Sequence, residues 1–187
     1  MFEAYLDIET TGLSPGGDAI TVIGVYLVNE TEDRLVQLVG EEATIEKLTE
    51  TLHGVHTIYT YNGSRFDLPF ITACLGIDLC RHHRHHDLMY DCWARNLKGG
   101  FKGVERQLGI SRETEGVSGW DAVVLWRRYK HHGDKKALDL LLKYNGEDVT
   151  NLKVLREKLH GPKGDGKAQR SQGASPPPPR GFPPSRE

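Results

Sequence analysis

The chain has 187 residues, 37% of them hydrophobic and 27% charged, with a formal net charge of −2. That length holds one domain with a substantial core, and the composition is that of a soluble globular protein. The near-neutral balance excludes a basic protein that coats nucleic acid non-specifically, but not an enzyme that grips a polyanion through bound metal. Cys74, Cys80 and Cys92 are odd in number and lack paired metal spacing, so they read as reduced thiols of a cytoplasmic protein. No stretch approaches the length of a membrane span, and Met1 leads into a strand with acids instead of a secretory signal.

Residues 2–9 predict a short strand ended by Thr10-Thr11-Gly12, followed by a loop through Pro15, Gly16, Gly17 and Asp18. Strands follow at Ala19–Asn29 and Arg34–Val39. From Glu41 the period becomes helical through Ile45, Leu48 and Leu52, with Gly54 as the stop. Val55–Tyr61 is again a strand. A helix from about Asp67 puts Leu68, Ile71 and Leu75 on one face, with Pro69 in its first turn. Helices are expected at Tyr90–Leu97 and 101–108, and residues 119–160 read as mainly helical, with Leu138, Leu141, Leu142, Val149, Leu152 and Leu159 as an apolar stripe. Residues 161–187 hold seven of the nine prolines and a net charge of +3, which leaves −5 for the part before them. They read as a disordered tail. The order of elements predicts an α/β domain over residues 1–160, with a mixed sheet combining an antiparallel meander and parallel strands, flanked by helices.

Three short clusters carry the chemistry. In the first, Asp7 and Glu9 alternate with Leu6 and Ile8, so both acids face one side of a strand. Neighbouring carboxylates repel and raise each other's pKa unless a cation lies between them. The second, Tyr61-Asn62-Gly63-Ser64-Arg65-Phe66-Asp67, leaves a strand and puts Asp67 at a helix start, where a plain N-cap is the simplest role. The third is Tyr144-Asn145-Gly146-Glu147-Asp148. Tyr144 and Asp148 share a helix face at i and i+4, and Gly146 signals close backbone packing or a local break. Alone, Tyr144 reads as an interfacial tyrosine and Asp148 as a solvated acid.

Together, in this order, the three clusters resemble the motifs of the DEDD (DnaQ-like) superfamily of 3′–5′ exonucleases, on a ribonuclease H-like fold. Lys143 stands where the histidine subclass has its histidine, so Tyr144 indicates the tyrosine form, DEDDy. The spacing around Asp67 is similar to that of family B polymerase proofreading domains, and among standalone chains the likeness is to YprB-type ribonuclease H-like domains. The resemblance implies a standalone enzyme that hydrolyses phosphodiester bonds at 3′ ends of single-stranded nucleic acid, DNA in the first reading. It implies two divalent cations, Mg²⁺ or Mn²⁺: one held by Asp7, Glu9 and Asp148, the second shared by Asp7 and anchored through water by Asp67. It gives Tyr144 the role of orienting the attacking water, since a phenol with a pKa of about 10 is a poor base near neutrality. It also implies substrate contacts from Thr10 and Leu13, with Asn62 supporting the strand end and Arg65 a candidate for phosphate. An RNase D-like exoribonuclease is the alternative within this chemistry. An inactive exonuclease-like module that binds nucleic acid or protein is the alternative outside it, disfavoured because all four acids and the tyrosine are present.

The remaining features have plainer readings. Adjacent histidines in the run His82–His86 would point to opposite faces of a strand, so the run itself does not converge on one zinc ion. Lys102, after Gly99-Gly100, is a surface lysine or a phosphate contact. Trp120, Trp126 and Tyr129 are expected to pack under the last helix. The Pro176–Pro179 run reads as a passive tail or a polyproline II segment.

Overall fold

A computed structural model describes residues 1–161; the expected tail from residue 162 onward lies outside them. Five strands form one sheet in the order β3-β2-β1-β4-β5. They are β1 (Phe2–Thr10), β2 (Ile20–Val28), β3 (Asp33–Val39), β4 (Val55–Thr60) and β5 (Arg84–Asp87). β1 pairs antiparallel with β2, as β2 does with β3, while β1–β4 and β4–β5 are parallel. The sheet is therefore mixed, as the element order predicts.

Alternation along β1 divides the core. Ala4, Leu6 and Ile8 pack against α1 (Ile45–Thr51) and α2 (Asp67–Leu75), which supply Leu48, Phe70 and Ile71. Tyr5, Asp7 and Glu9 turn to the other face, where Tyr5 meets residues of α3 (Leu88–Ala94), α4 (Phe101–Leu108) and α6 (Lys135–His160). α5 (Gly119–His132) packs beside α6. The helical region after residue 119 is thus two helices, separated where Gly133 takes φ 65° and Asp134 caps the next start. α3 begins earlier than the expected Tyr90, because Asp87 ends β5 and its carboxylate accepts the Met89 N–H. No helix among the described residues is long and apolar enough to cross a membrane.

The seat of α6 determines where the third cluster lies. Asp7 on β1 pairs with Gly24 on β2, and Asn145 of α6 lies directly over that glycine. A Cβ on Gly24 would stand 2.2 Å from Asn145 Oδ1. Asn145 is fully buried; its Nδ2 donates to the Asp7 carbonyl (3.4 Å) and to Asp7 Oδ2 (3.3 Å), while its Oδ1 accepts from Gln37 Nε2 (2.9 Å). Gln37 Nε2 also donates to the Leu142 carbonyl at 2.8 Å. Gly146 explains itself in the same way. The helix is continuous through it, and a Cβ there would come within 3.2 Å of Leu35 on β3. The glycines thus trade helix and strand propensity for close helix–sheet contact. Gly24→Ala forces a methyl group against Asn145 and is expected to destabilise the fold by about 1–3 kcal/mol, read from urea unfolding midpoints at unchanged m.

Candidate metal centre and substrate cleft

The end of β1 and the middle of α6 bring three carboxylates together. One oxygen each of Asp7, Glu9 and Asp148 lies within 4.8 Å of the other two. Glu9 and Asp148 are buried and Asp7 is half-buried. Glu9 Oε1 is a buried acceptor with no hydrogen-bond partner. Burial, and after it the charge of Asp148, drives both Asp7 and Glu9 well above the usual carboxylate range. An orphaned buried oxygen within a set of hard, mutually repelling oxygen donors fits a divalent cation. These three are the acids that the resemblance expects around the first ion.

Asp67 approaches from the opposite layer. It is the first residue of α2 and not its cap; Phe66 holds the cap position without a side-chain bond, and Asp67 Oδ1 instead accepts the Ile8 N–H at 3.0 Å. That bond fastens the start of α2 to β1 between the two acids of the first cluster. Asp67 stays outside the three-acid group but lines the same cleft of about 410 Å³ as Asp7, Glu9, Tyr144 and Asp148. Burial raises its carboxyl to about 7, against the opposing pull of the Ile8 N–H.

The turn before α2 is fixed by Asp87 at the end of β5. Its carboxylate accepts from Asn62 N (2.8 Å), Ser64 N (3.1 Å) and Ser64 Oγ (2.6 Å). Asn62 adopts φ 63°, a left-handed conformation that asparagine tolerates, and lines the cleft. Arg65 does not line it; its guanidinium lies over the Trp93 ring at 5.6 Å. Thr10 is buried at the cleft floor and donates to the Gly12 carbonyl at 2.5 Å. Asp18 closes the next loop by accepting from Thr11 Oγ1 and Ser14 N, both at 3.0 Å, which leaves Leu13 84% exposed at the rim. Trp120 corrects its expectation. It is 66% exposed and lines the cleft from the first turn of α5, whereas Trp126 packs against the core beneath α6.

Tyr144 closes the back of the cleft. Its hydroxyl is pushed far above the usual phenol value by burial and then by Asp148, Glu9 and Asp7, so it remains a proton donor. Lys102 Nζ stands 4.2 Å from the ring centroid and donates to the Val117 carbonyl, so this lysine is half-buried and tied into the site. Arg112 Cζ lies 5.6 Å from the same ring.

Arg112 has no counterpart in the sequence reading. Its side chain is buried, donating from Nε to Glu105 Oε2 (3.1 Å) and from Nη2 to Glu105 Oε1 (2.8 Å) and Asp148 Oδ1 (2.5 Å). Its Nη1 is a buried donor without a partner. Glu147 holds the loop that carries Arg112 by accepting from Glu113 N (2.6 Å) and Thr114 N (2.9 Å). Asp148 consequently lies between opposed influences: burial lifts it to about 6, while Arg112 pulls it down.

Residues 4–160 match the model of the RNase H superfamily. The chain belongs to that superfamily. No curated protein matches it. Among solved structures, this chain is similar to the family B DNA polymerase of the hyperthermophilic archaeon Pyrobaculum calidifontis, at 17% identity and a TM-score of 0.66. That match covers 85% of this chain but 24% of the polymerase, so the chain spans about a quarter of that protein. A structure described as the apo form of a nuclease matches at 20% identity and a TM-score of 0.56, covering 84% of this chain and 70% of the other. Brucella melitensis NrnC bound to pGG matches at 18% identity and a TM-score of 0.48, covering 84% and 81%. At these identities the likeness to the polymerase and to the apo nuclease is one of fold alone.

The raised carboxyls make the stability of this chain depend on pH. With Asp148 at about 6 and Asp67 at about 7, against about 4 in an unfolded chain, the folded state binds more protons across that interval. In chelator, stability is therefore expected to fall as pH rises from about 4 through about 7, with the raised Asp7 and Glu9 adding to the loss in the same direction. Saturating Mg²⁺ should raise the melting temperature most at the upper end. Thermal melts in EDTA and in Mg²⁺ across this range check both the sign and the metal dependence.

Proposed function

We propose that the chain is a 3′–5′ exonuclease of the DEDD type in its tyrosine form, acting on single-stranded DNA ends. The observation that carries this reading is the convergence of Asp7, Glu9 and Asp148 in a cleft that Tyr144 also lines. The superfamily match and the fold likeness to a polymerase and a nuclease support it. Asp7, Glu9 and Asp148 would hold one divalent ion, Mg²⁺ or Mn²⁺, with Asp67 steadying the water around a second. When bound, such ions supply an activated water and stabilise the charge on the phosphoryl group and the leaving 3′ oxygen.

The protein's own groups do the rest. Water attacks phosphorus, the bond to the 3′ oxygen breaks, and that oxygen leaves with a proton. The Tyr144 hydroxyl donates a hydrogen bond that orients the attacking water, a positioning role that suits a phenol held protonated. The Lys102 ammonium, beside Tyr144 and the acids, faces the same region and favours an anionic phosphate there. At the rim, exposed Leu13 and Trp120 offer apolar surface on which the terminal base can pack, as aromatic platforms do for single strands.

Asp7→Asn and Asp148→Asn are each expected to lower kcat by about 10²–10³ at saturating Mg²⁺, with the urea unfolding midpoint in chelator retained or raised. Unimpaired hydrolysis by the double variant would overturn the mechanism. Trp120→Ala should raise KM by about 10-fold, with less effect on kcat, if a base stacks there. Digestion of matched 5′-labelled and 3′-labelled DNA and RNA oligomers, single- and double-stranded, reads polarity and sugar preference together. Faster release from RNA would replace DNA with an exoribonuclease substrate.

A further inference from the structure

We propose that His86, Asp91 and His160 form a second metal site, for Zn²⁺ or a similar borderline-soft ion, separate from the carboxylate centre. The three residues come from the end of β5, the first turn of α3 and the last residue of α6. His86 Nε2 lies 2.6 Å and His160 Nε2 2.9 Å from the same oxygen, Asp91 Oδ2. One oxygen therefore meets two imidazole nitrogens, and all three potential donor atoms lie within 4.8 Å of one another. Two imidazoles and a carboxylate are a zinc donor set, and a tetrahedral ion needs only a water or an added ligand as its fourth. The side chains are 45%, 22% and 41% exposed, which leaves that position accessible.

The surroundings hold these groups in place. The His86 ring lies 5.7 Å from that of Tyr59, which in turn stacks on Tyr5 at 5.2 Å. Arg95 donates to the carbonyls of Asp91 (3.2 Å) and Leu159 (2.9 Å), clamping the first turn of α3 to the end of α6 one residue before His160. The donors thus converge through backbone that is fixed independently of them. Only His85 and His86 of the histidine run lie on β5, His82 and His83 preceding it, and between these two the expected alternation holds: His85 bonds Thr60 Oγ1 while His86 faces Asp91. Convergence comes from Asp91 and His160, contributed by other elements.

The two sites differ in donor chemistry. Oxygen-only ligands suit Mg²⁺ or Mn²⁺, whereas imidazole favours Zn²⁺, Co²⁺ or Ni²⁺. A bound ion would tie the end of α6 to β5 and α3. This proposal does not rest on the nuclease reading.

The test uses the full chain as Asp7→Asn/Asp148→Asn, which removes the competing carboxylates. Titration with ZnCl₂ by calorimetry should show one equivalent, undiminished by excess Mg²⁺, and Co²⁺ should give the intense visible bands of four-coordinate cobalt. Adding His160→Gln or His86→Gln should weaken Zn²⁺ binding by at least about 10-fold and remove the cobalt bands. If the acid variant does not fold, wild type and His160→Gln are compared in saturating Mg²⁺. No stoichiometric zinc uptake, or uptake unchanged by His160→Gln, would reduce the cluster to a hydrogen-bonded triad and overturn the proposal. Phosphodiester hydrolysis in Mg²⁺ by His160→Gln is expected to match wild type.

Discussion

The fold is arranged around the cost of burying like charges. Asp7, Glu9 and Asp148 approach within one ion's reach, in a place where burial alone already disfavours ionisation. A fold selected only for stability would fill this position with apolar side chains. Instead, both contributing elements are fixed around the acids. β1 is the central strand of the sheet, and α6 lies across β1, β2 and β3. The polar bridge from Gln37 through Asn145 to Asp7 makes the helix seat and the ligand position a single constraint. Gly24 is the space that bridge requires.

Cations from the protein itself temper the repulsion without cancelling it. Arg112 pairs with Asp148 and Glu105, and Lys102 stands over the Tyr144 ring. Both cations lie on the side of α4 and its following loop, whereas Glu9 Oε1 remains unbonded. The arrangement partly compensates Asp148 and leaves the β1 side of the cluster open to a metal ion. The bidentate Arg112–Glu105 contact, with Asp148 as a second partner, also explains how a guanidinium can be buried here, since a buried charge is tolerated when it is paired and hydrogen-bonded.

Much of this was legible in the sequence because period-two alternation and i, i+4 spacing are local rules. They assign the faces of Asp7, Glu9, Tyr144 and Asp148 without any knowledge of the tertiary structure. The mixed sheet follows from the order of its segments for the same reason. The role of Asp67 was less visible. A carboxylate at a helix start reads as a cap, and only the approach of β1 shows that its oxygen serves Ile8 instead. Arg112 was not legible at all. It lies in a connecting loop, and its importance depends on Glu147 anchoring that loop 33 and 34 residues away in sequence. Trp120 was misplaced because an amphipathic helix containing three large aromatics gives no sign of which one its first turn exposes.

The same distinction between local and distant information separates the two proposed ion sites. The carboxylate centre is half-written in one strand, so a pair two residues apart announces it. The histidine run announces a site that its own strand geometry cannot form, because successive side chains diverge. Only one member of the run, His86, is used, and its partners come from a helix five residues on and from a helix end much farther along. Density of ligand-type residues in sequence is therefore a poor guide to a metal site. What matters is whether independent elements are pinned so that their donor atoms meet. α6 meets that condition in two places. Near its middle, Asn145 pins it to β1, and at its end Arg95 pins it to α3.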